Sequence, residues 1–196
     1  PQAQALKIAL LAQQDRMDQA MVRAEELRKQ YPTEPDVAIL LATLYGQLHR
    51  LPEARATLQR ALQAHPHDLD LLHNLKSILV EAHDDKATEQ VLRQIMQEEP
   101  TVFDHRLKLA RFFDQLHATD QAEAVLRDAL KIFRENDQAW LGLADFLNMR
   151  RGKEAARVAL RQAAETLPYS TQIPFALAAL YESHKDYAEA KRVYET

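Results

Sequence analysis

The sequence predicts an all-α fold, an α-solenoid built from stacked antiparallel helical hairpins. Three observations point there. The composition is helical: 46% of the residues are hydrophobic, glycine occurs only 3 times, and alanine, leucine, glutamine, glutamate and arginine dominate. The prolines keep a period: Pro32, Pro66 and Pro100 are 34 residues apart, and Pro168 lies 68 further on, with Arg134 at the skipped position. Other columns keep the same step. Ala20, Ala54, Ala122, Ala156 and Ala190 form one, with Thr88 in the gap, and Leu41, Leu75, Leu109, Leu143 and Leu177 form another.

Each 34-residue unit reads as two helices. In residues 35–68, Ala38, Leu41, Ala42 and Tyr45 share one helix face. Pro52 suits the first turn of a second helix, whose face is Ala54, Leu58, Ala61 and Leu62, and Pro66 stops it. The same reading along the chain predicts helices over 2–14, 17–30, 36–48, 52–64, 70–82, 86–98, 104–116, 120–133, 138–150, 154–167, 173–184 and 187–195. The expected repeats are 1–34, 35–68, 69–102, 103–136, 137–170 and a truncated 171–196, in one continuous solenoid. Small side chains at the helix crossings allow close approach, and no hairpin can bury its apolar face alone, so neighbours must stack. Lys76 and Thr88 stand where small residues are the rule, which predicts a wider crossing in residues 69–102.

These columns resemble the tetratricopeptide repeat. In that family's 34-residue pattern a bulky residue stands at position 4, Leu at 7, a small residue at 8, Tyr or Phe at 11, Ala at 20 and 27, and Pro at 32. Residues 137–170 match it with Trp140, Leu143, Ala144, Leu147, Ala156, Leu160, Ala163 and Pro168. Residues 35–68 match with Ala38, Leu41, Ala42, Tyr45, Ala54, Leu58, Ala61 and Pro66. The resemblance covers essentially the whole chain. It implies a right-handed superhelix whose concave groove holds a protein or peptide.

Several chemistries are excluded or disfavoured. There is no Cys, so thiol catalysis and zinc–thiolate sites are out. The net charge of −4, without a basic run, argues against nucleic acid. No segment approaches the ~20 apolar residues of a membrane span. His65, His67 and Asp68 look like a metal cluster but sit in a link between repeats, and His49, His83 and His117 share one column about a repeat apart, too far for one ion. That column continues in Arg151 and Lys185, so its expected role is a cation offsetting the negative end of each first helix. The carboxylate pairs Asp84–Asp85 and Glu98–Glu99 lie in turns, where nothing buries them for acid–base work. Neither cofactor nor metal is expected, and the chain reads as non-catalytic.

The remaining functional surface is the first-helix face opposite the core, which the resemblance places in the groove. Its candidate partner-binding residues are Thr43, Gln47, His73, Asn74, Ser77 and Glu81, then Lys108, Arg111, Asp114, Asp145, Asn148 and Met149. Gly142 shares this face, and Ile39, Leu107, Leu141 and Phe175 form an apolar margin. The carboxylate clamp by which some relatives hold chaperone C termini is missing: Ile39 and Thr43, then His73 and Ser77, occupy its positions. Arg111 is the expected anchor, unless Asp114 and Asp145 neutralise it. The chain begins at Pro1 and stops in a helical pattern, so a segment of a longer protein is expected, cytoplasmic or periplasmic. The expected role is an interaction scaffold, with a generic likeness to repeats of bacterial envelope and exopolysaccharide-secretion proteins. The alternative is a substrate-positioning arm of an enzyme such as a glycosyltransferase.

Overall fold

The computed structural model describes residues 1–195. Among them are twelve α-helices and no strand. The chain forms two compact units, Pro1–Glu98 and Glu99–Thr196. The first unit holds α1 (Gln2–Gln13), α2 (Met17–Gln30), α3 (Pro35–Gln47), α4 (Leu51–Ala64), α5 (Leu69–Glu81) and α6 (Asp85–Glu98). The second holds α7 (Phe103–Gln115), α8 (Thr119–Ala129), α9 (Asp137–Arg150), α10 (Lys153–Thr166), α11 (Gln172–Ser183) and α12 (Tyr187–Tyr194). Within each unit, consecutive helices pair as antiparallel hairpins and the hairpins stack.

The core is the one the columns predict. Ala20, Ala54, Ala122, Ala156 and Ala190 are each 2% exposed or less, so a larger side chain there would separate the helices. Leu41, Leu109 and Leu143 are buried beside them. Thr88 is as buried as the alanines, at 1% exposure, and turns its hydroxyl onto its own helix, donating to the Asp84 carbonyl at 2.8 Å. Its polar atom is therefore satisfied, and Asp84 also caps α6 through the Ala87 amide at 3.0 Å.

The helices match the expected spans to one residue, except α8, which ends at Ala129 rather than 133. Beyond it the chain tightens into i→i−3 hydrogen bonds, Lys131 to the Asp128 carbonyl and Ile132 to Ala129. The tightening turns Phe133 inward, edge-on to Phe103 with 5.7 Å between ring centroids. Lys131, expected on the outer side of a second helix, is instead an exposed turn residue paired with Asp128.

Repeat position 4 has an unforeseen duty in the second unit. Trp140 Nε1 donates to the Arg134 carbonyl and Arg106 Nη1 to the Pro100 carbonyl, each six residues back. Arg106 thus replaces the usual bulky apolar residue. It is 7% exposed, its guanidinium lies 4.8 Å over the Phe133 ring, and burial lowers its pKa.

The charge account of the His49, His83 and His117 column needs correction. These residues have φ of 55°, 53° and 59°, and the same column gives Asp15 at 58° and Lys185 at 62°. Each is the left-handed residue that ends a first helix, and the next amide closes the turn: Arg50 to the Tyr45 carbonyl, Asp84 to Leu79, Ala118 to Phe113, Asp186 to Tyr181 and Arg16 to Leu11. An aspartate in the set shows that backbone handedness, not positive charge, defines the column. In the fifth hairpin α9 runs one residue longer, and Gly152 takes the positive φ in place of Arg151.

Candidate functional site

The sequence-selected residues of the first unit hold themselves back. Thr43 donates to the Ile39 carbonyl at 2.8 Å, Asn74 to Asp70 at 2.8 Å and Ser77 to His73 at 3.1 Å, all within their own helices. Glu81 is 3.8 Å from His49 Nδ1. Gln47 is exposed, and His73 is half-buried with contacts of its own.

In the second unit the selected residues converge. Where α1 packs on α3 and α3 on α5 in the first unit, the backbones of α7 and α9 approach less closely and meet through side chains. A cleft of about 480 Å³ opens between them. From α7 come Phe103, Leu107, Arg111 and Asp114, spaced so that one stripe of the helix faces the opening. From α9 come Leu141, Gly142, Asp145 and Met149. Gly142 lets α7 side chains rest on α9: a Cβ there would stand 3.4 Å from Phe103 Cζ and 3.8 Å from Leu107 Cδ1. Of the predicted set, Arg111, Asp114, Asp145 and Met149 line the cleft, whereas Lys108 and Asn148 are not among its lining residues. Sequence reasoning missed Phe103 and Phe146. Each lies four residues along its helix from a residue that was singled out, Leu107 or Gly142, and that spacing was the available signal.

The charges in the cleft are unequally occupied. Asp104 pairs with Lys108 at 2.7 Å, which lowers its pKa. Asp114 pairs with Arg150, whose guanidinium comes within 2.7 Å of both its oxygens, and not with Arg111. Arg111 makes no hydrogen bond or ion pair among the described residues, and its field reaches only as far as helping to lower the Asp104 pKa. Asp145 has no partner among them either. Desolvation by the cleft walls raises its carboxyl pKa, and no cation stands close enough to offset that. The expected mutual neutralisation of Arg111, Asp114 and Asp145 does not occur: one carboxylate is taken by Arg150 and two opposite charges are left open to the cleft.

Chemically, the site has an apolar wall on both sides, Met149 at 69% exposure on one edge, and one unpaired charge per helix. It contains no nucleophile–base pair, and no group of three metal-ligating side chains lies together among the described residues.

A sequence profile of the tetratricopeptide repeat matches residues 11–79 and again 79–146. The chain belongs to the tetratricopeptide repeat family. No curated protein matches its sequence. Among solved structures, a tetratricopeptide repeat protein from Parabacteroides merdae is 18% identical over 99% of this chain and 77% of its own, with a TM-score of 0.59. Pseudomonas aeruginosa pilF is 19% identical over 98% of this chain and 87% of its own, with a TM-score of 0.58. A thermophilic tetratricopeptide repeat protein of Thermus thermophilus is 19% identical over 91% and 97%, with a TM-score of 0.50. At these identities the likeness is one of fold. For a chain of this family, protein–protein interaction is the general role, and none of its helices is long and apolar enough to cross a membrane among the described residues.

Proposed function

We propose that this tetratricopeptide repeat chain is a scaffold that docks a protein segment in the cleft between α7 and α9. The observation that carries this reading is the pair Arg111 and Asp145, both without a protein partner among the described residues, on facing walls of one apolar cleft. The neighbouring carboxylates of the cleft are paired, Asp104 with Lys108 and Asp114 with Arg150. A wall that leaves both signs open beside Phe103, Leu107 and Leu141 is built for an occupant that brings apolar area and counter-charges together. The cleft volume lies in the range of ~300–1,000 Å³ in which bound groups are held. On the generic likeness of its Ala/Leu-rich repeats, the scaffold belongs to a longer protein of the bacterial envelope or secretion apparatus.

The test is capture by the immobilised chain. Arg111→Glu should lose the partner that the parent retains, with an unchanged helical signal and melting temperature. Gly142→Leu, whose side chain must push Phe103 and Leu107 off the cleft wall, should lose the same partner. Lys131→Glu, in the α8–α9 turn, is the control for charge alone and should keep it. Equal capture by all three variants would remove the cleft from consideration.

A further inference from the structure

We infer that copies of this chain stack head to tail, with α1 of one copy seated on α11 and α12 of another in the register that hairpins keep within the chain. The inference is independent of the cleft between α7 and α9.

Contacts inside each unit show which side chains point back along the stack and which point forward. Ile78, at repeat position 10 of α5, points back: a Cβ on Gly46 of α3 would stand 3.5 Å from its Cδ1. Leu107, at position 5 of α7, points forward onto Gly142, at position 6 of α9, with 3.8 Å between its Cδ1 and a Cβ built there. Burial obeys the same rule. At position 10, Leu44, Ile78, Phe146 and Leu180 are buried and Phe112 is half-buried, whereas Leu10 of α1 is 54% exposed. Position 3, on the same stripe two turns earlier, is buried in Val37, Leu71, His105, Ala139 and Ile173 and exposed in Ala3. At position 5, Ala5, Ile39, His73, Leu107 and Leu141 are half-buried, whereas Phe175 of α11 is 62% exposed. At position 24, Leu58, Leu92, Leu126 and Leu160 are buried, whereas Tyr194 of α12 is 52% exposed. The back-pointing half of the stacking interface is thus bare on α1, and the forward-pointing half is bare on α11 and α12.

The two bare halves match. The forward half is aromatic, with the Phe175 and Tyr194 rings 6.0 Å apart. In the register of Leu107 and Gly142, Phe175 meets position 6 of the incoming helix, which on α1 is Leu6, 68% exposed and one turn from Leu10. Closing this contact removes large apolar side chains from water on both sides. Charge keeps the same register. Glu123, at position 21, pairs with Arg151, at position 15 of the next hairpin, at 2.9 Å. The same two columns at the bare ends hold Lys191 and Asp15, again of opposite sign. Lys191 reaches only Glu195 of its own chain end, at 3.6 Å, and the side chain of Asp15 has no partner among the described residues. Arg16, the cation beside it, is turned to Gln19 at 2.5 Å. A second copy is therefore the occupant that brings the complementary apolar stripe and the complementary charge in one register. The contact is heterologous, so a pair of copies joined by it still carries one bare half at each end.

The test is sedimentation of the whole chain at rising concentration, where the average mass of the parent should increase. Leu10→Glu spoils the back-pointing half and Phe175→Glu the forward-pointing half. Both side chains are exposed in the single chain, so the helical signal and melting temperature of each dilute variant should equal those of the parent. Each variant alone should stay monomeric. An equimolar mixture should form a one-to-one complex that grows no further, because Leu10→Glu still offers α11 and α12 and Phe175→Glu still offers α1. A parent that is monomeric at every concentration overturns the inference and leaves the two bare halves to other hairpins. A single variant that associates as the parent does, or a mixture that stays monomeric while the parent associates, overturns it as well.

Discussion

The phenol of Tyr45 donates to Glu25 Oε1 at 2.5 Å, joining the second helix of one hairpin to the first helix of the next. The same register recurs in the second unit, where Arg161 Nη2 donates to the Tyr181 hydroxyl at 3.3 Å. Both tyrosines stand at repeat position 11 and both partners at position 25 of the preceding repeat. The column keeps the tyrosine and reverses the direction of the hydrogen bond, because a hydroxyl both donates and accepts.

Tyr45→Phe should cost about 1–2 kcal/mol: a hydrogen bond to a charged group contributes about 1.5–3 kcal/mol, reduced here because the Glu25 side chain is 30% exposed. Tyr181→Phe should cost less than about 0.5 kcal/mol, since its bond is longer and its partner more exposed. Urea denaturation of the two single variants checks the order.

A pH dependence follows from the same pair. Burial raises the Glu25 pKa, but hydrogen bonds from Tyr45 and Arg28 outweigh it and the net shift is downward. A lowered carboxyl pKa adds stability above the unfolded-state value and loses it as pH falls through the folded-state value. The parent should therefore lose more stability between neutral pH and about pH 3 than Tyr45→Phe does, read from melting temperatures across that range.

His49→Gly, His83→Gly and His117→Gly should each stabilise the chain by about 0.5–1 kcal/mol, because glycine adopts a positive φ without the Cβ conflict. The corresponding alanine variants should not. A helix-end charge role would give the opposite result, with glycine as harmful as alanine. Thermal melts of the six variants distinguish the two.

Asp145→Asn should melt above the parent at neutral pH. The raised carboxyl pKa means that the fold disfavours the charged form, so the parent loses stability above that pKa and regains it as pH falls through it. The advantage of Asp145→Asn should shrink on acidification. If the parent is the more stable at neutral pH, Asp145 has a stabilising partner and the cleft charge is not spare.

Gly142→Ala should stabilise α9 by about 0.5–1 kcal/mol from helix propensity, since its Cβ would meet Phe103 at a tolerable 3.4 Å. Weaker peptide binding with a higher melting temperature would mark this glycine as kept for the cleft.

The hairpins, their boundaries and the buried alanine and leucine columns were legible in the sequence. They follow from a 34-residue period and from 3.6-residue amphipathicity, both local properties of the chain. Even the helix ends were readable to one residue, apart from α8, where the inward turn of Phe133 depends on Phe103, thirty positions away. The histidine column was visible as a column, but its meaning was not, because residue type reports charge while φ reports handedness. The candidate face was likewise placed from the sequence, as a stripe on each first helix. Which part of it we propose as a site rests on tertiary structure alone. The separation of α7 from α9 opens one stretch, and Arg150, reaching back to Asp114, removes one carboxylate and leaves Asp145 and Arg111 open. Periodicity places a side chain on a face. Only the packing of other helices against that face decides whether its charge is satisfied, and a site is made of the charges that are not.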